Sequence, residues 1–318
     1  GPFISSANAA SCDGTVVVGA SVGLVGGFPA PIAFPWTGPG GMIPLGTLRG
    51  GTNSNALGCS QDGSIVVGSS TVTDGSEGFR WTAATNMVGV GQLPCTPPSI
   101  AGFSCNPGSI ATAISCDGTM IVGSGRTNGA SGTCNLTQHA FLIDSDGDIQ
   151  DITPPTFCGT SASDVAANGT VVGTAILPGQ GQFPYRWTSA TGMVPLTTIQ
   201  PITWVVRAVS DDGSVIVGHM SPAGQTQTAW IWDAQHGIRE LKTVLTTDFG
   251  LNLTGWTLFS ANDVSSDGRA IVGQGTNPSG QPEGWIARLP ELDTDGDGLL
   301  DSWETQGQGM DINSDGVI

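Results

Sequence analysis

The sequence predicts an all-β fold, a six-bladed β-propeller built from four-stranded blades. The 318 residues include 49 glycines and 20 prolines together with nine tryptophans, a composition that favours many short strands joined by turns. One short motif occurs six times, and an aromatic segment follows each copy. Repeats of this kind, with several strands in each unit, are typical of propeller blades.

The repeated motif begins with serine or alanine, continues with Asp-Gly or Asn-Gly, and ends in a β-branched run closed by glycine. Asp-Gly between apolar residues is a strong hairpin signal, because glycine adopts the positive φ that a tight turn needs. The intervals between copies are 45 to 55 residues, which fits one blade per copy. The six copies end at Gly19, Gly68, Gly123, Gly173, Gly218 and Gly273.

Two further strands are predicted behind each hairpin. The third strand carries aromatic residues, and a glycine- or asparagine-led segment behind it predicts a fourth strand in five units. The sixth unit lacks this last segment. The third strands begin at Ala33, Gly78, Ala140, Pro184, Ala229 and Gly284, and the fourth near Gly41, Asn86, Gly147, Gly192 and Gly237.

The first residues predict how the ring of blades closes. Phe3 and Ile4 precede the first hairpin by about the length of one further strand. We expect this N-terminal strand to fill the sixth blade, since an open sheet edge invites pairing with other chains. The alternative is that another copy of the protein supplies the missing strand.

The charge balance excludes some classes of partner. Nine Lys and Arg stand against 26 Asp and Glu, which gives a net charge of -17. Such a chain repels phosphate, so a nucleic-acid partner is excluded. No apolar stretch of 18 residues occurs, so no membrane span is predicted. We expect an extracellular protein, secreted or at a bacterial cell surface, because an acidic, lysine-poor surface favours solubility outside a cell.

The cysteines predict disulfides and an oxidising compartment, because none forms a CxxC pair typical of zinc sites. Cys95 with Cys105 and Cys134 with Cys158 are the expected bridges. An odd cysteine must remain, either as an inert buried thiol or as a bond to another chain. The seven are Cys12, Cys59, Cys95, Cys105, Cys116, Cys134 and Cys158.

The acidic end of the chain predicts a calcium site. We divide the chain into a propeller over residues 1–290 and a calcium-binding tail over residues 291–318, with calcium as the only cofactor. The first loop has carboxylates at alternate positions, glycine at the sixth and glutamate at the twelfth, as in an EF-hand. Without calcium the carboxylates repel one another, so we expect disorder. The predicted ligands of this loop are Asp293, Asp295, Asp297, Leu299, Asp301 and Glu304.

A second loop begins at Asp311 and continues with Asn313 and Asp315, but the sequence stops before the last ligand positions. Either a longer protein continues here or another molecule completes the coordination sphere. The acidic segment as a whole resembles the thrombospondin type 3 and dockerin-like calcium repeats of bacterial surface proteins. That resemblance implies calcium ligation and a stiff connector.

Most of the remaining polar residues are assigned structural roles. The carboxylates Asp144, Asp146 and Asp148 lack a ligand at the twelfth position, so a turn is favoured. The histidines His139, His219 and His236 show no metal spacing. No catalytic residue is predicted. Turn chemistry explains the hairpin aspartates Asp13, Asp62, Asp117, Asp212 and Asp267.

The tryptophans divide into two groups. Trp204 and Trp256 lie outside the repeat register and are the candidates for a binding or assembly contact. The others that recur at one position of the repeat are expected to pack between blades. They are Trp36, Trp81, Trp187 and Trp232.

The repeats resemble a known family, the bacterial extracellular HAF repeats, whose name-giving motif stands here as His139-Ala140-Phe141. The resemblance spans residues 1–290 through Asp-Gly, the valine-rich strand and the aromatic-x-Trp segment. It implies a secreted propeller-like protein and no catalytic residues. Asn168 replaces aspartate in the fourth unit, and Ile143 replaces tryptophan in the third.

These observations favour a non-enzymatic, secreted structural or adhesion module, self-assembling into a fibre or surface layer through the calcium tail. A homo-oligomer or polymer is the expected assembly, with a glycan or cell-surface partner. The alternative is a carbohydrate-binding or glycan-hydrolysing propeller that uses its central funnel.

Overall fold

The protein forms six antiparallel β-sheets, each built from strands that follow one another along the chain. The computed structural model describes residues 5–94, 108–127, 138–199, 202–224 and 226–289. From blade 1 to blade 6, the first strand of each sheet contacts the first strand of the next, and residues of all six first strands line a central channel. The prediction of a six-bladed β-propeller is therefore confirmed.

Blades 1 to 3 occupy the first half of the chain, and each contains four strands. Each blade begins with its innermost strand and proceeds outward. The strands are β1 (Ser5–Ala10), β2 (Val16–Val25), β3 (Phe28–Thr37), β4 (Gly41–Met42), β5 (Ser54–Cys59), β6 (Ile65–Val72), β7 (Gly75–Thr82), β8 (Asn86–Gly89), β9 (Ser109–Ile114), β10 (Ile121–Arg126), β11 (Gln138–Ile143) and β12 (Ile149–Asp151).

Blades 4 to 6 follow the same order. A seven-residue helix, α1 (Leu241–Thr247), comes after blade 5, and in the described ranges no helix has the length and apolar character needed to cross a bilayer. The strands are β13 (Gly159–Val165), β14 (Val171–Leu177), β15 (Gly181–Thr188), β16 (Gly192–Pro195), β17 (Ile202–Val209), β18 (Ile216–Pro222), β19 (Thr228–Asp233), β20 (Gly237–Glu240), β21 (Thr257–Val264), β22 (Ala270–Thr276) and β23 (Pro282–Arg288).

The predicted closure of blade 6 by an N-terminal strand stays a prediction, because it rests on residues at the start of the chain that lie outside the described ranges. The segment Ser5–Ala10 pairs with β2 and is the innermost strand of blade 1, because the Asp-Gly turn joins it directly to that strand. It does not supply a fourth strand to blade 6, whose sheet has three strands in the described part of the chain. Phe3 and Ile4 lie outside the described residues.

The glycine that ends each motif faces an aromatic ring of the third strand. In blade 2, Gly68 pairs with Phe79 on one side and Ala56 on the other. The ring of Phe79 is fully buried. Rings from the third strands thus fill the core, and they are Phe34, Phe79, Phe141, Tyr185, Trp230 and Trp285.

The recurrent tryptophans two residues further along are less buried than expected. Trp187 is buried, and Trp81 and Trp232 are partly buried against the core. Trp36 is 40% exposed. The aromatic residue that packs in the core is therefore the first of each aromatic pair, because its strand position faces the glycine of the second strand.

The hairpin aspartates are turn residues, as predicted. Asp13 accepts hydrogen bonds from the Ser11 hydroxyl (2.7 Å), the Thr15 N–H (2.9 Å) and the Thr15 hydroxyl (2.7 Å). The bond from Ser11, followed by those from Thr15, lowers the pKa of the Asp13 carboxyl. The same bonding by serine and by the backbone recurs at Asp62, Asp117, Asp212 and Asp267.

Candidate ligand-binding channel

The central channel forms a cavity with a volume of about 400 Å³. That volume lies within the range of small-ligand sites. Side chains from all six innermost strands line it, so every blade contributes to its wall.

A β-bulge interrupts each innermost strand at the same height. In blade 4 the pairing shifts between Ala162 and Asp164, which leaves Ser163 unpaired. Bulges re-aim side chains and are frequent beside functional sites. We call the six unpaired residues the bulge ring, and they are Asn8, Leu57, Thr112, Ser163, Arg207 and Asn262.

The residue after each bulge also lines the channel, and here the blades differ. Blades 1, 2, 3 and 5 carry alanine or glycine at this position, which leaves space in the channel. Blades 4 and 6 carry Asp164 and Asp263. Two carboxylates therefore face a cavity whose other walls at this height are small side chains.

Backbone hydrogen bonds hold both carboxylates in place. Asp164 accepts from the N–H of Val165 (2.8 Å) and from the N–H of Val209 in blade 5 (2.9 Å). Asp263 accepts from the N–H of Val264 (2.8 Å). Since each carboxylate has about four acceptor positions, both retain capacity for a ligand.

The surroundings raise the pKa of both carboxyl groups. Burial raises the pKa of Asp164 to about 7, and the negative charge of Asp263 adds to this effect, while the bond from Val209 works against it. Burial also raises the pKa of Asp263. Both side chains reach water inside the channel although protein surrounds them on the other sides. A carboxyl group with a pKa near 7 can accept or donate a proton close to neutrality.

Arg207 brings a positive charge into the bulge ring but forms no ion pair with a described residue. The pKa of His219 falls to about 4, mainly because of burial and secondly because of the positive charge of Arg207. Arg207 is not among the largest causes of the pKa shifts of Asp164 and Asp263. The two carboxylates therefore have no cationic partner in the described ranges.

The Asp-Gly turns meet at one end of the channel. Asp13 donates its N–H to the carbonyl of Gln61 (3.2 Å), and Gln61 donates to that of Cys116 (2.8 Å). On the other side Asn168 donates to Asp211 (3.2 Å), which donates to Ser266 (3.0 Å). We call the second residues of the six turns the turn ring, and they are Cys12, Gln61, Cys116, Ala167, Asp211 and Ser266.

A disulfide crosses this turn ring. Cys12 of blade 1 is bonded to Cys116 of blade 3, with 6.0 Å between their Cα atoms. The Sγ of Cys116 also lies 3.9 Å from the Oγ of Ser266 in the opposite blade. The channel is thus spanned at its turn end.

The disulfide prediction is incomplete. The Cys12–Cys116 bond was not expected, although the expectation of disulfides is confirmed. Cys158 is disulfide-bonded, whereas Cys95, Cys105 and Cys134 lie outside the described residues. Cys59 is the free cysteine of the described ranges; it is buried, and burial raises the pKa of its thiol to about 12. An inert buried thiol is thus the observed role of this residue.

Trp204, one of the two tryptophans proposed as contact residues, is packed inside the protein, so that interpretation is wrong for it. Trp204 is 2% exposed and meets the ring of Trp230 edge to face, with 6.2 Å between centroids. Trp256 is partly buried against the core beside α1, and its carbonyl accepts from Lys242 Nζ (2.7 Å).

The predicted calcium ligands, from Asp293 to Asp315, lie outside the described residues, and so does the domain boundary after residue 290. The site stays a prediction. In the ranges that the structure does describe, no three His, Cys, Asp or Glu side chains are grouped as a metal site would require. Asp144 is a turn residue, since it accepts from the N–H of Asp146 (3.0 Å).

Sequence reasoning missed the channel carboxylates. One signal was present: units 4 and 6 carry Asp-Val immediately before the hairpin motif, as Asp164-Val165 and Asp263-Val264, where the other units have small or apolar residues. The hairpin aspartates obscure this signal in the sequence, because they recur in every unit but one.

Comparison with known proteins shows the fold. No protein-family model and no curated protein sequence matches the chain. A protein assigned as TolB from Agrobacterium tumefaciens is similar in structure at 17% identity and a TM-score of 0.53, over 91% of this chain and 92% of that one. Oligogalacturonate lyase from Vibrio parahaemolyticus is similar at 12% identity and a TM-score of 0.54, over 92% and 82%.

The β-propeller domain of the Trilobed protease from Pyrococcus furiosus is also similar, at 12% identity and a TM-score of 0.53, over 89% and 80% of the two chains. These likenesses contradict the expected structural or adhesive module. The three structures are a lyase, a protease domain and TolB, and none is described as an adhesive or filament-forming protein. The fold thus occurs in enzymes as well as in TolB.

Proposed function

We propose that this protein binds, in its central channel, a small ligand or peptide that carries a positively charged group. The observation that supports the proposal is the pair Asp164 and Asp263, two carboxylates without a cationic partner in the described ranges that line a cavity of about 400 Å³. An ammonium or guanidinium group would supply the missing countercharge through charge-assisted hydrogen bonds.

Desolvation explains why the pair favours a cation. Burial of an unpaired carboxylate is unfavourable, and burial is the main cause that raises the pKa of Asp164. A bound cation offsets this cost. Binding of a cation is therefore favoured by the free energy that an unpaired, buried carboxylate costs in the free protein. The net charge of -17 adds a long-range attraction for cations.

Among ligands with a positive charge, we propose a peptide. A protease propeller domain shares the fold, although at 12% identity this likeness concerns the fold alone. Amino groups and basic side chains are the positive charges that peptides offer.

Binding of n-butylammonium tests the proposal by titration calorimetry, with n-butanol as the uncharged ligand of the same shape. We expect binding of the amine alone at pH 8, and a loss of about tenfold or more in affinity at pH 5.5. The sign follows from Asp164, whose pKa of about 7 leaves it ionised at pH 8 and neutral at pH 5.5. The amine, with a pKa of roughly 10 like that of lysine, stays charged throughout.

Asp263→Asn should weaken this binding about tenfold at pH 8, since a charge-assisted hydrogen bond is lost. Asp146→Asn is the matched control, because it removes the same charge from an exposed turn outside the channel. Equal affinity of the two variants, or equal binding of n-butanol, would contradict the proposal.

We also place the protein in the cell envelope or outside the cell. The Cys12–Cys116 disulfide favours an oxidising compartment. The likeness to TolB is compatible with the envelope.

For the acidic tail we propose calcium binding, on the spacing of residues 293–304 alone. Calorimetry of the full chain should detect calcium binding, and Glu304→Gln should weaken the first site about tenfold or more because it removes a bidentate carboxylate. Glu291→Gln is the control, since it lies outside the loop. Calcium affinity that Glu304→Gln leaves at the level of the control would refute this site.

A further inference from the structure

The channel is narrowed at the end where the Asp-Gly turns meet. Backbone hydrogen bonds join the turns of blades 1, 2 and 3 into one arc, and those of blades 4, 5 and 6 into another. The Cys12–Cys116 disulfide spans the first arc, and Cys116 reaches Ser266 of the second at 3.9 Å. At this height blade 3 contacts blade 6 across the axis, and we take this end of the channel as closed to a polypeptide chain.

The cavity lies between this closed end and the bulge ring. In blade 1 its wall runs from Asn8 to Cys12, a depth of about 13 Å at roughly 3.3 Å per strand residue. An extended peptide of about four residues would fill that depth. The cavity is therefore deep enough for the end of a chain.

Three carboxylates, Asp164, Asp211 and Asp263, and one cation, Arg207, line the channel from blades 4, 5 and 6, so this wall carries more negative than positive charge. The charges of Asp263 and Asp211 both act on Asp164 and raise its pKa, so the three share one electrostatic environment. The opposite wall, from blades 1, 2 and 3, is neutral at the height of the bulges, with Asn8 already bonded to Asn55 (2.7 Å).

We infer that the channel is a blind pocket that receives the amino-terminal end of a polypeptide. This inference rests on the proposed function and specifies its ligand. A chain that enters a blind pocket must end there or fold back. A chain that folds back places two extended segments side by side, about 5 Å apart. An amino terminus needs the width of one segment and brings its own positive charge, whereas a wall with three carboxylates and one arginine disfavours a carboxyl terminus.

Three pentapeptides with a fluorophore on the C-terminal amide test the inference by anisotropy at pH 7. The first is pentaglycine with a free amine, the second its N-acetyl form, and the third N-acetyl-Gly-Gly-Lys-Gly-Gly. A terminal amine with a pKa of about 8 is largely protonated at this pH. We expect the free amine to bind about tenfold or more tightly than either acetylated peptide. Asp263→Asn should abolish that preference, while Asp146→Asn should retain it.

The outcomes separate the two proposals. If the acetylated lysine peptide binds as tightly as the free terminus, the channel takes any amine; the inference then fails and the proposed function stands. If acetylated pentaglycine binds as tightly as the free terminus, charge plays no part in peptide recognition and the inference fails. If neither the peptides nor n-butylammonium bind, both proposals fail together.

Discussion

Replacing Cys12 and Cys116 together with serine is expected to lower the free energy of unfolding by about 4 kcal/mol. The two residues are separated by 104 positions, so their bond closes a long loop in the unfolded chain. Long loops lose the most conformational freedom on cross-linking, and the chain-entropy argument gives about 4.7 kcal/mol for 100 residues. The bond also joins blade 1 to blade 3 across blade 2, so its loss removes a constraint on the turn ring.

Urea denaturation measures this loss, with Gln61→Ser as the matched control. Gln61 occupies the same turn position in blade 2 and is exposed. The control should stay within about 0.5 kcal/mol of the parent, as surface substitutions do. A loss below about 1 kcal/mol in the double variant would contradict this prediction, because it would show that the disulfide contributes little to the free energy of unfolding.

The architecture could be predicted from local signals because each blade is a local structure. Asp-Gly turns, β-branched runs and aromatic strands each specify a hairpin within about 50 residues. The strands from β1 to β23 lie where these signals place them. Pairing of neighbouring strands needs no information from distant parts of the sequence.

The Cys12–Cys116 bond could not be predicted in the same way. The expected bridges joined cysteines close in sequence, whereas this one depends on closure of the ring, which brings the turns of blades 1 and 3 to one end of the channel. The prediction that Trp204 makes a binding or assembly contact was wrong for a related reason. Trp204 lies outside the repeat register, but its strand is the innermost of blade 5, and its ring packs against Trp230.

The candidate site was hidden by its position in the repeat. Asp164 and Asp263 follow the bulges, and a bulge changes which side chains face the channel. A regular alternation of inward and outward residues does not apply there. Only the structure shows that these two aspartates share the cavity, whereas the more numerous turn aspartates are occupied by their own serines and backbone N–H groups.

Gly68→Ala is expected to destabilise the fold by about 3 kcal/mol or more, the upper part of the range for overpacked cores. A Cβ at Gly68 would overlap the carbonyl oxygen of Asn55, and would lie 2.9 Å from Cε1 of Phe79 and 3.0 Å from Cα of Ala56. Asn55 and Ala56 belong to the innermost strand, so β5 and β6 would have to separate. Glycine is required here because the two strands approach closely. Its backbone freedom is not the reason, since Gly68 has no positive φ.

Gly38→Ala is the control, because nothing lies within 4 Å of its added Cβ. Near-ultraviolet circular dichroism and urea denaturation report the outcome. Gly68→Ala combined with Phe79→Leu separates the two contacts: a smaller side chain relieves contact with the ring but leaves the carbonyl overlap, so stability should not return. Recovery in that double variant would show that the ring, and not the neighbouring strand, makes glycine necessary. The same carbonyl overlap recurs at Gly19, Gly123, Gly173, Gly218 and Gly273, which explains why every motif ends in this residue.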